Sequence, residues 1–402
     1  MAHDPLRAAT LLREVLANDR ARVGFFLGAG CPVSIRIESA AGGNKPLIPD
    51  IAGLSSTTRD ALKNQHPLHS AKLETYLNNQ KLTDANVEIV LSKIRALIEI
   101  VGNGVVHDFS LEELELLEKA ICNSIATVVN VDLPDGKNGY RDIAAWIQGF
   151  DRTHPVEIFT TNYDLLIESA LEEARLTYFD GFTGSKHPFF DVSAIDRDGL
   201  PAYWTRLWKL HGSINWRDEK KNGGNICRFT ERDNDANSLI HPSHRKYDQS
   251  RRLPYLALLD RMKAFLRKHS AVLIISGYSF NDAHLNELMA DGLESNPTSV
   301  IIATMYGKLM PYKAAISLAE SKSNLILLGQ DHGVVGKRLD TWEVDEDQDH
   351  SPLRNAFFRP EALPEGARSG YRECWLGDFK ALGEFIRDVS GSFAQVERAV
   401  RS

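Results

Sequence analysis

Three side chains that can do chemistry follow apolar runs in this sequence. Asn162 and Asp164 come after residues 156–160, and His211 comes after residues 204–210. A histidine titrates near neutral pH and can act as a general base, whereas an asparagine can orient a water molecule or a ribose hydroxyl. Asp164 can support a charged ring or fix its own loop. Each apolar run predicts a strand, so we expect these side chains at strand ends, where α/β proteins bind ligands.

A glycine-containing turn follows the first apolar run, residues 23–27. Glycine allows a tight turn and lets a ligand approach the backbone, and a strand that ends in small residues is a common site for a dinucleotide pyrophosphate. An ordinary tight turn is the alternative, because Val33 stands where a full G-x-G-x-x-G has its third glycine. The predicted phosphate-binding residues of this turn are Gly28, Ala29, Gly30 and Ser34.

A second turn of the same kind follows residues 271–276, the plainest buried strand in the sequence. Gly277 and Ser279 stand in this turn, directly before a predicted helix that begins at Ala283. A strand-to-helix turn suits contact with phosphate or ribose. We therefore expect the two glycine turns to serve one ligand.

Asp50 lies about 20 residues beyond the first glycine turn, where a Rossmann unit places its ribose-binding acid. No strand pattern precedes it, and residues 39–46 are polar and rich in glycine. The sequence therefore predicts a mobile loop over the ligand that carries Asp50, rather than a second regular strand.

The elements that must position these residues alternate between strand and helix. This alternation predicts an α/β fold, a Rossmann-like doubly wound parallel sheet. Helical spacing of apolar residues between 54 and 128 adds a helical insertion module, which is either plain scaffold or a wall of the ligand cleft. We expect a catalytic domain over 1–335, largely helical within 35–150, and a C-terminal extension over 336–402. The extension ends in an amphipathic helix that covers the sheet or meets another subunit.

Composition excludes several classes of function. The net charge is -7, so no general positive field attracts nucleic acid. No apolar run approaches the ~18 residues of a membrane span, and no signal peptide is visible at the N-terminus. Together with four cysteines that are far apart in the sequence, as in a reducing compartment, these features predict a cytoplasmic protein.

The metal-ligating residues do not form a metal site in the sequence. The cysteines share no C-x-x-C spacing, which argues against structural zinc and against a disulfide framework. His241 and His244 have the spacing of two ligands, but they lie in a charged stretch, 217–252, that reads better as a solvated loop. We therefore predict no metal. The four cysteines are Cys31, Cys122, Cys227 and Cys374.

Taken together, the strand-end motifs resemble the sirtuin superfamily, over roughly residues 20 to 335. The similarity is closest to the bacterial sirtuin-like domains of anti-phage defence, which hydrolyse NAD. Ile48-Pro49-Asp50 resembles the flexible cofactor-loop motif of the family. The motifs occur in the family order: Gly28-Ala29-Gly30, Thr161-Asn162-Tyr163-Asp164, His211-Gly212-Ser213 and Gly277-Tyr278-Ser279.

Two departures separate this chain from protein-deacetylating sirtuins. Those enzymes usually carry a four-cysteine zinc ribbon, which is missing here, and they usually have glutamine where Thr161 stands. The resemblance therefore implies an NAD+ glycohydrolase, with NAD as substrate, Asn162 and His211 as catalytic residues, and Thr161 and Asp164 at the cofactor. It also implies a homo-oligomer and a HerA-type ATPase as partner.

Three other functions compete with NAD hydrolysis. A non-catalytic nucleotide sensor would need neither Asn162 nor His211. An NAD-dependent deacylase is disfavoured by the absent zinc cysteines. A nuclease is disfavoured by the negative charge and by the lack of a carboxylate cluster for metal ions.

Overall fold

The chain builds one large sheet with helices on both faces. A computed structural model describes residues 2–39, 42–197, 199–219, 225–229, 254–343 and 373–401. The helices are α1 Pro5–Ala17, α2 Gly30–Val33, α3 Ile51–Gln65, α4 Pro67–Asn79, α5 Val87–Val101, α6 Leu111–Val129, α7 Gly139–Gln148, α8 Leu166–Glu173, α9 Val192–Arg197, α10 Tyr255–Leu266, α11 Ala283–Ser295, α12 Lys313–Ser321 and α13 Phe379–Arg401. The strands are β1 Arg22–Leu27, β2 Arg36–Glu38, β3 Asn44–Pro46, β4 Val105–Val106, β5 Phe109–Ser110, β6 Glu157–Thr160, β7 Tyr178–Phe179, β8 Phe182–Thr183, β9 Phe189–Phe190, β10 Thr205–Lys209, β11 Trp216–Glu219, β12 Asn225–Arg228, β13 Ala271–Ser276, β14 Val300–Thr304, β15 Leu325–Leu328, β16 His332–Val335 and β17 Arg338–Thr341.

The central sheet has nine strands in the order β17-β16-β15-β14-β13-β1-β6-β10-β7. All pairs from β14–β15 through to β10–β7 are parallel, and only β16 and β17 are antiparallel at one edge. The strands are buried on both faces, which is why they read as continuous apolar runs. Phe25 packs into the core on one face and Phe26 into the core on the other. The predicted doubly wound parallel sheet is confirmed.

The direction of winding changes between β1 and β13. From β1 the chain proceeds to β6 and β10 on one side, and from β13 it proceeds to β14 and β15 on the other. In open parallel sheets, a crevice forms at the carboxyl ends of the strands where this change occurs. This change places the two glycine turns at the edge of the sheet where such a crevice is expected.

The predicted helical module consists mainly of α3 to α6. Asn86 caps α5 by accepting a hydrogen bond from the Ile89 amide, and Ser110 and Glu113 form a capping box at the start of α6. The apolar faces of these helices join the core on one face of the sheet. A short hairpin of β2 and β3 opens the segment, where we expected a loop without strands.

The sheet extends beyond the predicted boundary at 335. Strands β16 and β17 form a hairpin whose turn contains Gly336, so residues up to Thr341 belong to the central sheet. Helix α13 then packs against α7 and α1 of the same chain. Gly139 and Gly383 allow this close approach, and Arg387 pairs with Asp142 at 2.9 Å.

The stretch 217–252, predicted as a solvated loop, contains strands. Residues 216–219 and 225–228 form β11 and β12, which join β9 and β8 in a four-stranded antiparallel sheet. Phe182 of β8 and Trp216 of β11 pack against each other, with ring centroids 4.9 Å apart. The His241-x-x-His244 segment lies outside the described residues. Among the helices that are described, none is long and apolar enough to cross a membrane.

Candidate functional site

The sheet brings the four predicted motifs to one edge. Strands β13, β1, β6 and β10 are consecutive neighbours, and all four are parallel. Their carboxyl ends therefore lie side by side. Gly277 follows the first, Gly28 the second, Asn162 the third and His211 the fourth.

The two glycine turns pack directly against each other. The Gly28 amide donates to the Ser276 carbonyl at 2.9 Å, and the Gly30 amide donates to the Gly277 carbonyl at 2.8 Å. A Cβ on Gly28 would lie 2.3 Å from the Gly277 oxygen, and Gly277 itself has a φ of +68°. These positions require glycine because two backbones meet there. The sequence pattern indicated that a ligand requires these glycines. In the structure, the close approach of the neighbouring turn already requires them.

Asn162 is buried beneath the first glycine turn. Its side-chain Nδ2 donates to the Gly28 carbonyl at 3.1 Å, and its backbone amide donates to the Thr160 hydroxyl at 3.0 Å. The buried Tyr140 phenol lies beside it, and burial raises the pKa of this phenol well above its usual range, to which Asp164 also contributes. The Asn162 amide is thus held at a fixed place between β1 and β6.

His211 faces an acidic side chain from the other half of the sheet. Its Nε2 lies 3.6 Å from Oδ2 of Asp282, and the two side chains are 15% and 13% exposed. Asp282 also caps α11, because its Oδ1 accepts from the amides of His284 and Leu285. The contact joins the end of β10 to the turn after β13, across the ends of β1 and β6.

Asp282 was not among the site residues predicted from the sequence. Aspartate directly before a helical segment is the usual helix cap, and that signal was available in Asp282-Ala283. Nothing in the sequence spacing indicated that the same carboxylate approaches His211, which is 71 positions away. The contact depends on the strand order alone.

An ion pair between Lys209 and Glu168 supports the loop that carries Asn162. The Lys209 ammonium donates to the backbone carbonyl of Asp164 and to Oε1 of Glu168, the latter at 2.8 Å. Burial raises the pKa of both carboxyl groups, and Lys209 acts in the opposite direction. Oδ1 of Asp164 accepts from the Leu166 amide at 3.1 Å. Asp164 thus fixes the start of α8, which was the second of its two predicted roles.

Several predicted ligand residues have other local roles. Asp50 is exposed and caps α3 by accepting from the Gly53 amide at 2.8 Å. The Ser34 hydroxyl donates to the Cys31 carbonyl at 2.8 Å. Ala29 and Ser279 are exposed, and Thr161 is half-buried. The roles of these residues at a cofactor stay predictions.

The cysteines are all free and buried. The Cys31 thiol contacts the Ser276 carbonyl beneath the glycine turns, at 3.4 Å, and burial raises the pKa of this thiol far above its usual range. Cys31 is therefore a packing residue and not a nucleophile. Among the residues that the structure describes, no three His, Cys, Asp or Glu side chains are grouped so that they could hold a metal ion.

One comparison with known protein families covers three of the four strand-end motifs. The family model of the SIR2-like domain matches residues 156–326, which is less than half of the chain but includes Asn162, His211 and Gly277. A solved structure described as "Structural Basis for the Mechanism and Regulation of Sir2 Enzymes" is 13% identical, with a TM-score of 0.37, over 80% of this chain and 92% of that chain. No curated protein matches. This match shows that residues 156–326 are similar to the SIR2-like domain.

Proposed function

We propose that this protein is an NAD+ glycohydrolase that converts NAD+ to nicotinamide and ADP-ribose. One observation carries the proposal. Asn162 and His211 lie at the carboxyl edge of the sheet, on adjacent strand ends beside the two glycine turns. The SIR2-like match over 156–326 supports NAD as the ligand of this edge.

The reaction needs three things from the protein. Cleavage of the nicotinamide–ribose bond passes through an oxocarbenium-like transition state, as glycoside hydrolysis does. The site must therefore hold the pyrophosphate, release nicotinamide and place a nucleophile at the anomeric carbon. In our proposal the backbone around Ala29 and Ser279 holds the phosphates, while Thr161 and Asp50 contribute from the rim.

Asn162 and His211 carry the chemical step. One N–H of the Asn162 amide donates to the Gly28 carbonyl, and in our proposal the amide oxygen orients water or a ribose hydroxyl. His211 removes a proton from that water or hydroxyl, and the nearby Asp282 carboxylate stabilises the imidazolium that results. Water adds to the anomeric carbon and one of its protons passes to His211. Nicotinamide leaves with the electrons of the broken bond.

Water is the proposed acceptor rather than an acyl-lysine. Thr161 stands where deacetylating sirtuins usually carry glutamine, and the four cysteines are dispersed rather than gathered in a zinc ribbon. A deacylase is the alternative. A nucleotide sensor without turnover is the second alternative, and it would leave the arrangement of Asn162 and His211 without a use.

The biological role that we propose is anti-phage defence by depletion of NAD+ in the cytoplasm. A constitutive NAD+ hydrolase would be toxic to its host, so activity should depend on an assembled or triggered state. The resemblance to defence proteins supports a homo-oligomer and a HerA-type ATPase as the regulating partner. Co-expression with such an ATPase is therefore one arm of the experiment below.

The test is product analysis by chromatography after the protein, purified alone or co-expressed with a HerA-type ATPase, is incubated with NAD+ with and without an acetylated peptide. We expect nicotinamide and ADP-ribose without peptide, in the free or the assembled state. Products that form only with peptide, and that include acetylated ADP-ribose, would establish the deacylase instead. Binding of NAD+ without any product in every state would establish the sensor.

Two variants assign the chemistry. We expect His211→Ala to lower turnover by about 10²–10⁴, the usual cost of losing a general base, while the fold persists. His269→Ala is the matched control, because His269 is exposed at the opposite edge of the sheet, in the loop before β13. Asn162→Ala should eliminate the products and weaken NAD+ binding. Wild-type turnover in a folded His211→Ala protein would remove His211 from the mechanism.

A further inference from the structure

A cavity of about 320 Å³ lies at the amino edge of the central sheet. Its walls include Arg22 at the start of β1, Glu157 at the start of β6 and Arg206 in β10, together with Lys268 from the loop before β13. Because these strands are parallel, the cavity is at the edge opposite to Asn162 and His211. It has no part in the mechanism proposed above.

Positive charge predominates in this cavity. Arg22, Arg206 and Lys268 line it, and Glu157 is the one carboxylate among the lining residues, so the formal charges sum to two positive. Both Glu157 oxygens are engaged, one by the Lys268 ammonium at 2.9 Å and the other by the Trp208 indole at 2.8 Å. His154 also lines the cavity, and its pKa is lowered by burial and then by the charges of Arg22 and Lys268.

The cavity is a built feature rather than a patch of mobile surface lysines. Arg206 is 2% exposed, and its guanidinium donates to the carbonyls of Trp204 at 2.7 Å and Leu200 at 3.0 Å. These bonds fix the guanidinium plane in the cavity wall. Burial of a cation is costly unless negative charge approaches it, so an anion in the cavity would stabilise the arrangement.

We propose that this cavity binds a phosphate group, either inorganic phosphate or the terminal phosphate of a small monoester. A phosphate monoester carries about −1.5 to −2 charges at neutral pH, which matches the two positive charges of the wall. Arginine recognises such a group through paired N–H donors. The volume is at the lower end of the roughly 300–1,000 Å³ range of ligand pockets, which suits a small molecule.

Titration calorimetry on the full chain tests this proposal, with inorganic phosphate and AMP as separate probes, in phosphate-free buffer with salt held constant. The perturbing variant is Arg22→Gln, which keeps a polar side chain in the cavity. Arg267→Gln is the matched control, because Arg267 is exposed, lies next to Lys268 in the chain, and does not line the cavity. We expect Arg22→Gln to weaken binding about tenfold or more, as loss of a charged hydrogen bond should. Binding to Arg267→Gln should stay within about twofold of wild type.

A second variant tests the site without deletion of any contact. Ala202 is exposed and lines the cavity, so Ala202→Glu adds a carboxylate there. Because this carboxylate repels phosphate, the variant should abolish phosphate binding. Tighter binding of AMP than of phosphate would identify a monoester ligand, and equal binding would identify the free anion. The proposal is overturned if neither probe binds at millimolar concentration, if Arg22→Gln binds as wild type does, or if Asn162→Ala rather than Arg22→Gln removes binding.

Discussion

Substitution of Lys209, which supports the candidate site, should lower the stability of the folded protein, and the size of this loss should depend on pH. Lys209 is 2% exposed, and its ammonium is the cation that pairs with the buried Glu168 at 2.8 Å and holds the Asp164 carbonyl. Lys209→Met preserves most of the volume but leaves the Glu168 carboxylate, only 12% exposed, without this partner. Loss of one partner of a buried ion pair typically costs about 3–5 kcal/mol.

The pH dependence gives this prediction its sign. Burial already raises the pKa of Glu168 and Asp164 in the folded protein, and Lys209 opposes that rise. Without Lys209 both pKa values rise further above their unfolded values, so the folded state binds protons more readily than the unfolded chain. The destabilisation should therefore be largest at neutral and higher pH, and it should shrink as the pH falls through the raised pKa values.

The assay is urea denaturation followed by circular dichroism between pH 5 and 8. Lys322→Met is the matched control, since Lys322 pairs with Glu294 at 2.6 Å but Glu294 is 75% exposed. An exposed pair of this kind contributes about 0–1 kcal/mol, so the control should change stability little at any pH. Equal losses in the two variants, or a Lys209→Met loss that grows toward low pH, would refute the reasoning.

Two further predictions concern the strand-end turns. Gly28→Ala should destabilise the protein by about 1–3 kcal/mol or more and weaken NAD+ binding, because the added Cβ would meet the backbone of Gly277. The measurement is thermal unfolding, and Gly104→Ala is the control. Its Cβ would meet only one atom, at 3.6 Å, so this variant should be near neutral. Asp282→Asn keeps an effective helix cap but removes the charge beside His211, so NAD+ turnover should fall about tenfold with little change in melting temperature. A melting temperature that falls in step with turnover would limit Asp282 to capping.

Much of the scaffold could be predicted from local sequence. The strand predicted over residues 271–276 agrees with the structure residue for residue, and the helix predicted to begin at Ala283 does begin there. These segments were readable because strands that are buried on both faces form unbroken apolar runs, and because amphipathic helices repeat every 3.6 residues. The capping box of Ser110 and Glu113 is also a local feature, since both residues lie within one helical turn.

Antiparallel pairing at the margins was not readable in the same way. Strands of two to four residues, such as Phe182–Thr183 and Asn225–Arg228, are too short to show a period. Their pairing partners are supplied by other loops, so tertiary context decides whether the segment is a strand. For the same reason the boundary at 335 cut through the hairpin of β16 and β17.

The residues at strand ends could be recognised from the sequence alone. Asn162, His211 and the two glycine turns were identified because each follows an apolar run, which is a local property of the chain. The contacts of these residues, in contrast, depend on the tertiary structure. The strand order β13-β1-β6-β10 makes Gly28 a neighbour of Gly277 and Asn162, and it carries the His211 side chain to Asp282. Strand order depends on crossovers through distant helices, whereas spacing along the chain reports only on neighbours within an element.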